Sequence, residues 1–528
     1  MNSAAPGVSL WKEACFGPDL FLDDFVRRCF ATSIDGEERK FHRVHLKQVL
    51  THCPPDLAVV RHRQAILAEL ARRPDLRRLC ERTWLSIDEL KRLLTSAELS
   101  KRMDPIHRQM DILRAVKASF DQVAASFDTS ESGLSTLNDF GEEVLGSEGY
   151  KHLRDLLDYE AHLATMDVRL RLGFDGELRG FEIVRATENR DNPFYRSPLA
   201  RFWSKLRMLF RGYRAREREV LGRLLYGVFD GIQRYLVSLF QIQLDLEVLL
   251  AALSFHDKAR RKGLAVCLPT LSVTAGLDVR ALFNPFLLDE ALAPVPCDLQ
   301  AAPGAIVVIT GPNSGGKTRL LQALGLCQVL AQAGLFAPAA SAVLSHTEGL
   351  FVSLIHEAQA NAKEGRLGTE LLRIRRLFEQ LSVGSVVLLD ELCSGTNPSE
   401  GETIFELVVS LLAEVRPLAF ISTHFLQFAG RLQRDRSHPA LQFLQTELDD
   451  HLEPTYKFMP GVASTSLAQK TAERLGVTRD ALYKLVVQHQ QEYAARHPEQ
   501  PTTRRAAEPA DALPLPATAK ESSVVKSQ

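Results

Sequence analysis

The sequence predicts an α-helical first half and an α/β second half. In residues 1 to about 265, apolar residues recur at helical spacing. The stretch from Ala215 to about Lys258 contains almost no helix breaker apart from three glycines. In the second half, three short apolar runs each end at polar residues that suit phosphate chemistry. Short runs of this kind are typical of buried parallel strands.

The composition is that of an ordinary globular protein. The chain has 528 residues, 45% of them hydrophobic and 24% charged, so several domains and a large core are expected. The formal net charge of -1 gives no general attraction to nucleic acid or membranes. We found no apolar run of membrane-spanning length and no signal-peptide core, so we expect a cytoplasmic protein with no membrane partner.

The eight cysteines are scattered and contain no C-x-x-C pair. This spacing predicts small buried hydrophobic residues in a reducing compartment, and not a disulfide framework or a zinc site.

The first half is expected to be a helical bundle. Asp56 can cap a helix that carries Leu57, Val60, Leu67 and Leu70 on one face and ends before Pro74. Residues 128–149 are rich in Ser, Asp and Gly and are predicted to be a loop. The stretch from Ala215 to Lys258 predicts one long helix. Residues 269–296 form a proline-punctuated transition to the second half.

A basic stretch lies before and within the start of the long helix. It consists of Lys205, Arg207, Arg211, Arg214, Arg216, Arg218 and Arg223, interleaved with Phe202, Trp203, Phe210 and Tyr213. One interpretation is contact with nucleic-acid phosphates. The other is a solvated helix face, because Glu217 and Glu219 dilute the positive charge.

The strongest motif is a glycine-rich loop that fits G-x-x-x-x-G-K-[ST], the phosphate-binding pattern. Its residues are Gly311, Pro312, Asn313, Ser314, Gly315, Gly316, Lys317 and Thr318. An apolar strand at 306–310 precedes it, and a helix ending at Gly334 follows it. This order points backbone N–H groups and a helix N-terminus at phosphate. Lys317 adds a positive charge, and Thr318 offers a hydroxyl to Mg²⁺.

Two further strands are expected to bring polar residues to the same edge of the sheet. The run 386–389 ends at Asp390 and Glu391, which suit the Mg²⁺ shell and the attacking water, respectively. The run 418–422 ends at Thr423 and His424. His424 is interpreted as a sensor of the γ-phosphate, with a structural histidine as the alternative. Between these strands, Asn397 and Pro398 predict a turn that leads into a helix.

These motifs together resemble the MutS family. The resemblance is carried by 311–318 with 331–338, 388–392 with 395–396, 422–424, and 456–461 followed by Ser466. Residues 63–67 and 74–77 resemble the start of that family's helical core. The resemblance implies a helical core and lever joined to an α/β P-loop ATPase domain of the ABC type.

Several further expectations follow from the resemblance alone. ATP and Mg²⁺ would be held by the loop and Asp390, with Glu391 and His424 as catalytic residues and Gln359 on the magnesium side. The ATPase domain would form a homodimer that controls a clamp on double-stranded or branched DNA. The domains would be 1–150 (helical core), 151–268 (lever or clamp), 269–495 (ATPase) and 496–528 (disordered tail).

Three departures from the family pattern are visible. No segment suits the mismatch-reading domain, so direct mismatch reading is not expected. Gly365 stands where a signature serine that reaches the partner's γ-phosphate is expected, and the absence of that serine predicts slow hydrolysis by comparison with the family. The motifs lean toward the second bacterial MutS paralogue, but without its nuclease domain, so nuclease activity is not expected.

Two functions of different kinds remain open. The first is a DNA-binding ATPase with a nucleotide-controlled dimer clamp, acting in repair or recombination. The second is a scaffold that ATP locks into a dimer for a protein or ribosome partner, with little hydrolysis. A membrane-transporter ATPase subunit is disfavoured, because such subunits carry a serine-rich signature and have no long helical half in front.

Overall fold

The computed structural model describes residues 11–95, 105–125, 127–160, 164–172, 178–188, 214–273, 276–354, 366–381, 383–393, 397–435, 440–464 and 477–496. The chain divides into two units, Met1–Ser466 and Leu467–Gln528. The described part of the second unit contains one helix, Arg479–Arg496, which is exposed along most of its length. The predicted disordered tail lies outside the described residues from 497 onward.

The first half is built from helices and two antiparallel hairpins. The helices are α1 (Leu22–Cys29), α2 (Arg43–Thr51), α3 (Leu57–Arg72), α4 (Pro74–Thr95), α5 (Pro105–Ala124), α6 (Ser135–Gly146), α7 (Glu148–Glu160) and α8 (Arg214–Arg261). The hairpins are β1 (Thr32–Ile34) with β2 (Glu37–Arg39) and β3 (Ala164–Leu172) with β4 (Leu178–Glu188).

The start and end of α3 follow the sequence prediction. The Asp56 carboxylate accepts a hydrogen bond from the Ala58 N–H at 2.7 Å, which satisfies one of the free donors of the first turn. The helix ends with Arg73 as its cap, and Pro74 begins α4. The capping and the proline stop are therefore confirmed.

Two parts of the first half were predicted wrongly. Residues 135–146 form α6 and not a loop, because Leu137, Gly141 and Val144 recur at helical spacing and are buried. Their Ser- and Gly-rich neighbours hid that spacing. Residues 164–172 and 178–188 pair as the strands β3 and β4 and do not form a helix. The alternation of apolar and charged residues from Val168 to Leu172 has the period of a strand.

The long helix α8 is confirmed and spans 48 residues. Its buried residues, among them Ile232, Leu239, Leu246 and Leu253, contribute to the core of the helical half. One segment of α8, Val228–Arg261, is long and apolar enough to cross a membrane by length and composition. This corrects the expectation that no run reaches that length. A buried core helix passes the same test, and 61% of the most apolar window is buried inside the protein.

The second half contains two sheets. A four-stranded sheet has the order β5 (Thr270–Ser272), β9 (Ser341–Ser345), β6 (Leu277–Leu282) and β7 (Cys297–Ala301). A six-stranded sheet has the order β10 (Leu350–Ser353), β11 (Val386–Leu389), β12 (Leu418–Ser422), β8 (Ile306–Thr310), β13 (Leu441–Leu448) and β14 (Pro454–Pro460). In this sheet β13 and β14 are antiparallel and the other neighbours are parallel.

The helices of the second half are α9 (Lys317–Gln332), α10 (Arg366–Gln380), α11 (Pro398–Val415) and α12 (Leu426–Asp435), and α13 (Arg479–Arg496) is the helix of the second unit. The three predicted strands β8, β11 and β12 are confirmed and every residue in them is buried. The helix expected after Asn397 is also confirmed as α11, which Asn397 caps through the Ser399 N–H. The fold is thus helical first and mixed α/β second.

Helix α9 links the two halves inside the first unit. Apart from Thr318 and Arg319, its residues are buried. A side-chain carbon added at Gly325 would lie 2.6 Å from Leu20 of the N-terminal region and 3.1 Å from Leu388 of β11. Arg63 of α3 donates a hydrogen bond to the Ala333 carbonyl at the end of α9. The helix that follows the glycine loop therefore packs against the sheet and the helical half together.

Candidate functional site

The glycine-rich loop joins β8 to α9 in a conformation that depends on its residue types. Gly311 has φ 147°, Ser314 has φ 68° and Gly316 has φ 88°, all in the region that side chains disfavour. A Cβ atom at Gly311 would lie 2.3 Å from the Thr446 Oγ1 of β13. Glycine at position 311 is therefore required both by the backbone angle and by the close approach of β13.

Lys317, the first residue of α9, lies folded back over this loop. Its Nζ donates hydrogen bonds to the carbonyls of Gly311 and Pro312, each at 3.0 Å. The residue is 5% exposed. Desolvation lowers the pKa of Lys317, and the nearby carboxylates of Glu391 and Asp390 partly oppose that effect. Among the described residues its hydrogen-bond partners are these two carbonyls, so the buried ammonium is placed to bind an anion in the loop.

Asp390 and Thr318 meet across the site. The Thr318 hydroxyl donates to Asp390 Oδ2 at 2.5 Å. Asp390 follows β11, is 5% exposed, and also accepts a hydrogen bond at Oδ1 from the Ser422 hydroxyl at the end of β12. The carboxyl ends of β11 and β12 and the start of α9 are therefore joined by one aspartate.

Glu391 and His424 lie at the ends of the same two strands. Glu391 has φ 47°, and its N–H donates to Ser422 Oγ at 2.9 Å. Its side chain lines the cavity described next. His424 is exposed, and its ring centroid lies 4.3 Å from that of Phe425. His424 is not among the residues that line the cavity, so the structure brings Glu391, but not His424, to its wall.

A cavity of about 540 Å³ opens beside the loop. Its polar side is formed by residues 313–319 and Glu391, and its apolar side by Leu282, Leu287, Leu292, Ala293, Pro294, Val295, Leu320, Ala323 and Phe458, together with Tyr456. Asn284 fixes the segment that carries part of this wall, because its Nδ2 donates to the Arg319 carbonyl at 3.0 Å and to Gln322 Oε1 at 2.9 Å on α9. The arrangement suits a ligand with an anionic end and a flat apolar end.

The residues present fit a magnesium ion. Thr318 and Asp390 supply a hydroxyl and a carboxylate, the oxygen donors that Mg²⁺ prefers. Among the described residues there is no group of three or more His, Cys, Asp or Glu side chains that could enclose a metal. This agrees with a magnesium ion that takes its remaining ligands from water and from phosphate oxygens, as is usual for this ion.

Some predicted residues lie outside the described part of the chain. These are Gln359, Gly365, and the 395–396 pair. Most of the basic stretch is also outside it, and only the backbone of Arg214, Arg216, Arg218 and Arg223 is described, as part of α8. Nothing in the structure therefore tests the roles assigned to them.

The sequence did not point to three residues that shape the site. Ser422 bridges Asp390 and Glu391, Thr446 lies against Gly311, and Asn284 holds the cavity wall. In the sequence, Ser422 stands out only as the first residue of the 422–424 motif. A polar residue at the end of a buried apolar strand, next to the acidic pair of the neighbouring strand, is a signal that could have identified it.

The comparisons with known proteins agree on one family. Residues 307–492 match the family described as MutS domain V. An endonuclease MutS2 of Thermomicrobium roseum is 36% identical over 207 residues, which cover 39% of this chain and 26% of that protein. The endonuclease MutS2 of Thermus thermophilus is 32% identical over 203 residues, 38% of this chain and 25% of that protein.

A third relative gives a longer alignment. The endonuclease MutS2 of Streptococcus gordonii is 32% identical over 287 residues, which cover 53% of this chain and 35% of that protein. The matches thus span about a quarter to a third of the length of these relatives.

Proposed function

Since this chain belongs to the MutS family, we propose that it is an ATP hydrolase that binds DNA and uses ATP to control a dimeric clamp. We place it in repair or recombination, acting on branched or otherwise structured duplexes and not as a direct reader of mismatches. The observation that carries the proposal is the meeting of Thr318 and Asp390 beside the buried Lys317. This constellation is what binding of a nucleoside triphosphate with Mg²⁺ requires.

The loop would bind the triphosphate. The N–H groups of the loop and of the first turn of α9 would surround the β- and γ-phosphates, and Lys317 would exchange its two carbonyl partners for phosphate oxygens. Thr318 and Asp390 would hold Mg²⁺, which neutralises charge on the phosphate oxygens when it is bound. The apolar wall around Leu287, Pro294 and Tyr456 would take the adenine base.

Two residues are proposed to act on the reacting groups. Glu391 lines the cavity and would orient or deprotonate the attacking water, because hydrolysis needs a nucleophile in line with the γ-phosphate. His424, at the end of the neighbouring strand, would contact the γ-phosphate in the closed state. His424 is exposed and does not line the cavity. Contact with the γ-phosphate would therefore need a local rearrangement or the approach of a second subunit.

DNA binding is assigned to the helical half. The family supports it, and the 48-residue helix α8 ends where the α/β half begins, so it is suited to act as a lever. The basic stretch at its start is the proposed phosphate contact. The word endonuclease in the names of the relatives is not carried over, because the alignments cover only 25% to 35% of those proteins.

The proposal is tested by ATP turnover in the presence of different DNAs. Steady-state hydrolysis should rise with four-way-junction DNA more than with plain or mismatched duplex, and the rise should weaken with salt. Lys317→Ala should reduce turnover roughly a hundredfold or more. Lys484→Ala, at an exposed position of α13 outside the helical half, serves as the matched control and should behave as wild type.

Two results would contradict the proposal separately. If Mg-ATP does not bind to the purified protein, the ATPase assignment is wrong. If ATP binds and turns over at one rate whatever DNA is added, and no DNA is bound in a direct assay, the clamp assignment is wrong while the ATPase assignment stands.

A second candidate is favoured by one feature of the sequence. Gly365 lies where the family places a serine that reaches the partner's γ-phosphate. Loss of that hydroxyl favours a protein in which ATP binding locks a dimer scaffold for a protein or ribosome partner and hydrolysis is incidental. The two candidates differ in whether hydrolysis, and therefore Glu391, is needed.

A further inference from the structure

The hydroxyl of Ser422 lies at the centre of the hydrogen bonds of the site. It accepts from the Glu391 N–H at 2.9 Å and donates to Asp390 Oδ1, while Asp390 Oδ2 accepts from Thr318. The four residues therefore form one continuous chain of hydrogen bonds from Glu391 to Thr318. Ser422 is fully buried, so water does not compete for its hydroxyl.

The sheet places Ser422 where one residue can reach both acidic neighbours. Leu389 of β11 pairs with Ile421 of β12, so the next residues on these parallel strands, Asp390 and Ser422, are also neighbours. On its other side, Ser422 pairs with Ile309 of β8, the strand that leads into the glycine loop. Ser422 therefore stands between the strand that carries the carboxylates and the strand that leads into the loop.

Glu391 needs a hydrogen bond at this point. Its φ of 47° is in the left-handed region, which is strained for a residue other than glycine. The conformation turns the chain sharply after β11. The hydrogen bond from its N–H to Ser422 Oγ holds this turn against the neighbouring strand.

We propose that Ser422 is a positioning residue of the nucleotide site, which sets the carboxylate of Asp390 for Mg²⁺ and the backbone of Glu391 for the attacking water. This inference rests on the proposed ATPase function and adds a residue to it. Ser422 is fully buried and is not among the residues that line the cavity. Its hydroxyl donates to Asp390 Oδ1 and so orients the carboxylate, which leaves Oδ2 directed at Thr318.

The test compares Ser422→Ala with Ser422→Thr, which keeps a hydroxyl. Partners that orient a metal ligand typically contribute roughly 10–100-fold to metal affinity or activity. In S422A we expect the Mg²⁺ concentration for half-maximal turnover to rise, and kcat to fall, by factors in this range. The affinity for ATP measured in EDTA should stay within about twofold, because Lys317 and the loop are unchanged. S422T should recover most of both losses.

A second buried serine separates the positioning role from simple loss of a buried hydroxyl. Ser385 is 4% exposed and directly precedes β11, at the opposite end of the sheet from the site. Ser385→Ala should leave the Mg²⁺ dependence and kcat unchanged. If S422A does not fold, as judged by circular dichroism, S422C replaces it, because its side chain has a similar shape but hydrogen-bonds weakly.

The outcomes distinguish this inference from the proposed function. If wild type hydrolyses ATP and the Ser422 variants match it in Mg²⁺ dependence and kcat, the positioning role is wrong and the ATPase function stands. If S422A and S385A lose activity equally, the effect is structural and the inference is also wrong. If wild type binds no Mg-ATP, the proposed function fails and this inference fails with it.

Discussion

At the scale of single residues, the loop depends on its glycines, which have no side chain, as much as on its polar residues. Gly311 combines a φ of 147° with a neighbour, Thr446, that leaves no space for a Cβ atom. A Cβ atom added at Gly315 would lie 2.9 Å from the Oγ1 of the same threonine. Thr446 is buried in β13, so it cannot move aside freely.

Gly311→Ala should therefore damage the site more than an ordinary glycine substitution. The added methyl must displace Thr446 or the loop, and overpacking of this kind costs about 1–3 kcal/mol. We expect a loss of that size in the free energy of urea unfolding and a loss of ATP binding in isothermal titration calorimetry.

The matched control for this substitution is Gly430→Ala in α12. A Cβ there meets nothing within 4 Å, and the residue is helical, so alanine should be neutral or stabilise by up to about 1 kcal/mol. Equal effects of the two substitutions on stability and on ATP binding would show that the crowding at Thr446 is unimportant.

At the scale of elements, an ionic contact fastens the cavity wall to the helical half. Asp289, at the end of the short helix Pro285–Asp289, accepts from Lys258 of α8 at 2.5 Å and from Arg28 of α1 at 3.0 Å. The Lys262 Nζ donates to the neighbouring Glu290 carbonyl at 2.9 Å. The C-terminal end of α8 is thus held to the segment that carries Leu287 and Glu290 of the cavity wall.

Asp289→Asn should weaken this fastening in a pH-dependent way. Burial raises the pKa of Asp289, but the hydrogen bonds from Lys258 and Arg28 outweigh it and the pKa is lowered below the ordinary 3.8. A lowered pKa in the folded state gives stability that is present above pH 3.8 and lost as pH falls through the lower folded value. Because Asp289 is partly exposed, we expect the variant to lose no more than about 1 kcal/mol at pH 7.

Urea unfolding as a function of pH measures this effect. The difference between wild type and D289N should be constant from pH 7 to pH 5 and shrink only below 3.8. Asp24→Asn, which breaks a pair between exposed residues within α1, is the control and should change stability little. A D289N difference that disappears already near pH 6 would contradict the account.

The elements also show what the sequence could predict. The strands β8, β11 and β12 were predictable because buried parallel strands are continuous apolar runs. Thr318 at the start of α9 and Asp390 after β11 meet, as the sequence predicted. Helix α6 and the β3–β4 hairpin were missed, because loop-like neighbours and a short alternating pattern carry weak local signals. Ser422, Thr446 and Asn284 act through contacts between distant parts of the chain, which local patterns do not encode.

At the scale of the whole molecule, the open question is what ATP does to the number of subunits. In the proposed homodimer, the second copy would complete each site. The ring of His424 is exposed. In such a dimer it would contact the γ-phosphate only when the second copy closes the site. The assembly and the catalytic role of Glu391 can be tested in one variant.

Glu391→Gln should bind Mg-ATP but hydrolyse it roughly a hundredfold more slowly, because the amide cannot accept the proton of the attacking water. Sedimentation velocity should then show a persistent dimer with ATP and a monomer without it. Lys317→Ala should remain monomeric in both conditions. Glu406→Gln, at an exposed position on α11, is the matched control and should hydrolyse ATP at the wild-type rate.

The same variants separate the two candidate functions in cells. If E391Q supports growth under DNA damage while K317A does not, ATP binding alone is the signal and the scaffold is favoured. If both variants fail, turnover is required and the ATPase clamp is favoured. A protein that stays monomeric with Mg-ATP in wild type and in E391Q would contradict the dimer in either candidate.

Helix α9 has a consequence for any attempt to divide this protein. Leu20 of the N-terminal part of the chain lies against Gly325 of this helix, and Val60 and Arg63 contact Gly334 and Ala333 directly after its end. Cutting the chain between the halves would expose to water the buried residues of α9 that pack against the N-terminal part. We therefore expect that the nucleotide-binding half does not fold by itself. A change that loosens the N-terminal helices should also disturb the glycine loop, because α9 contacts both.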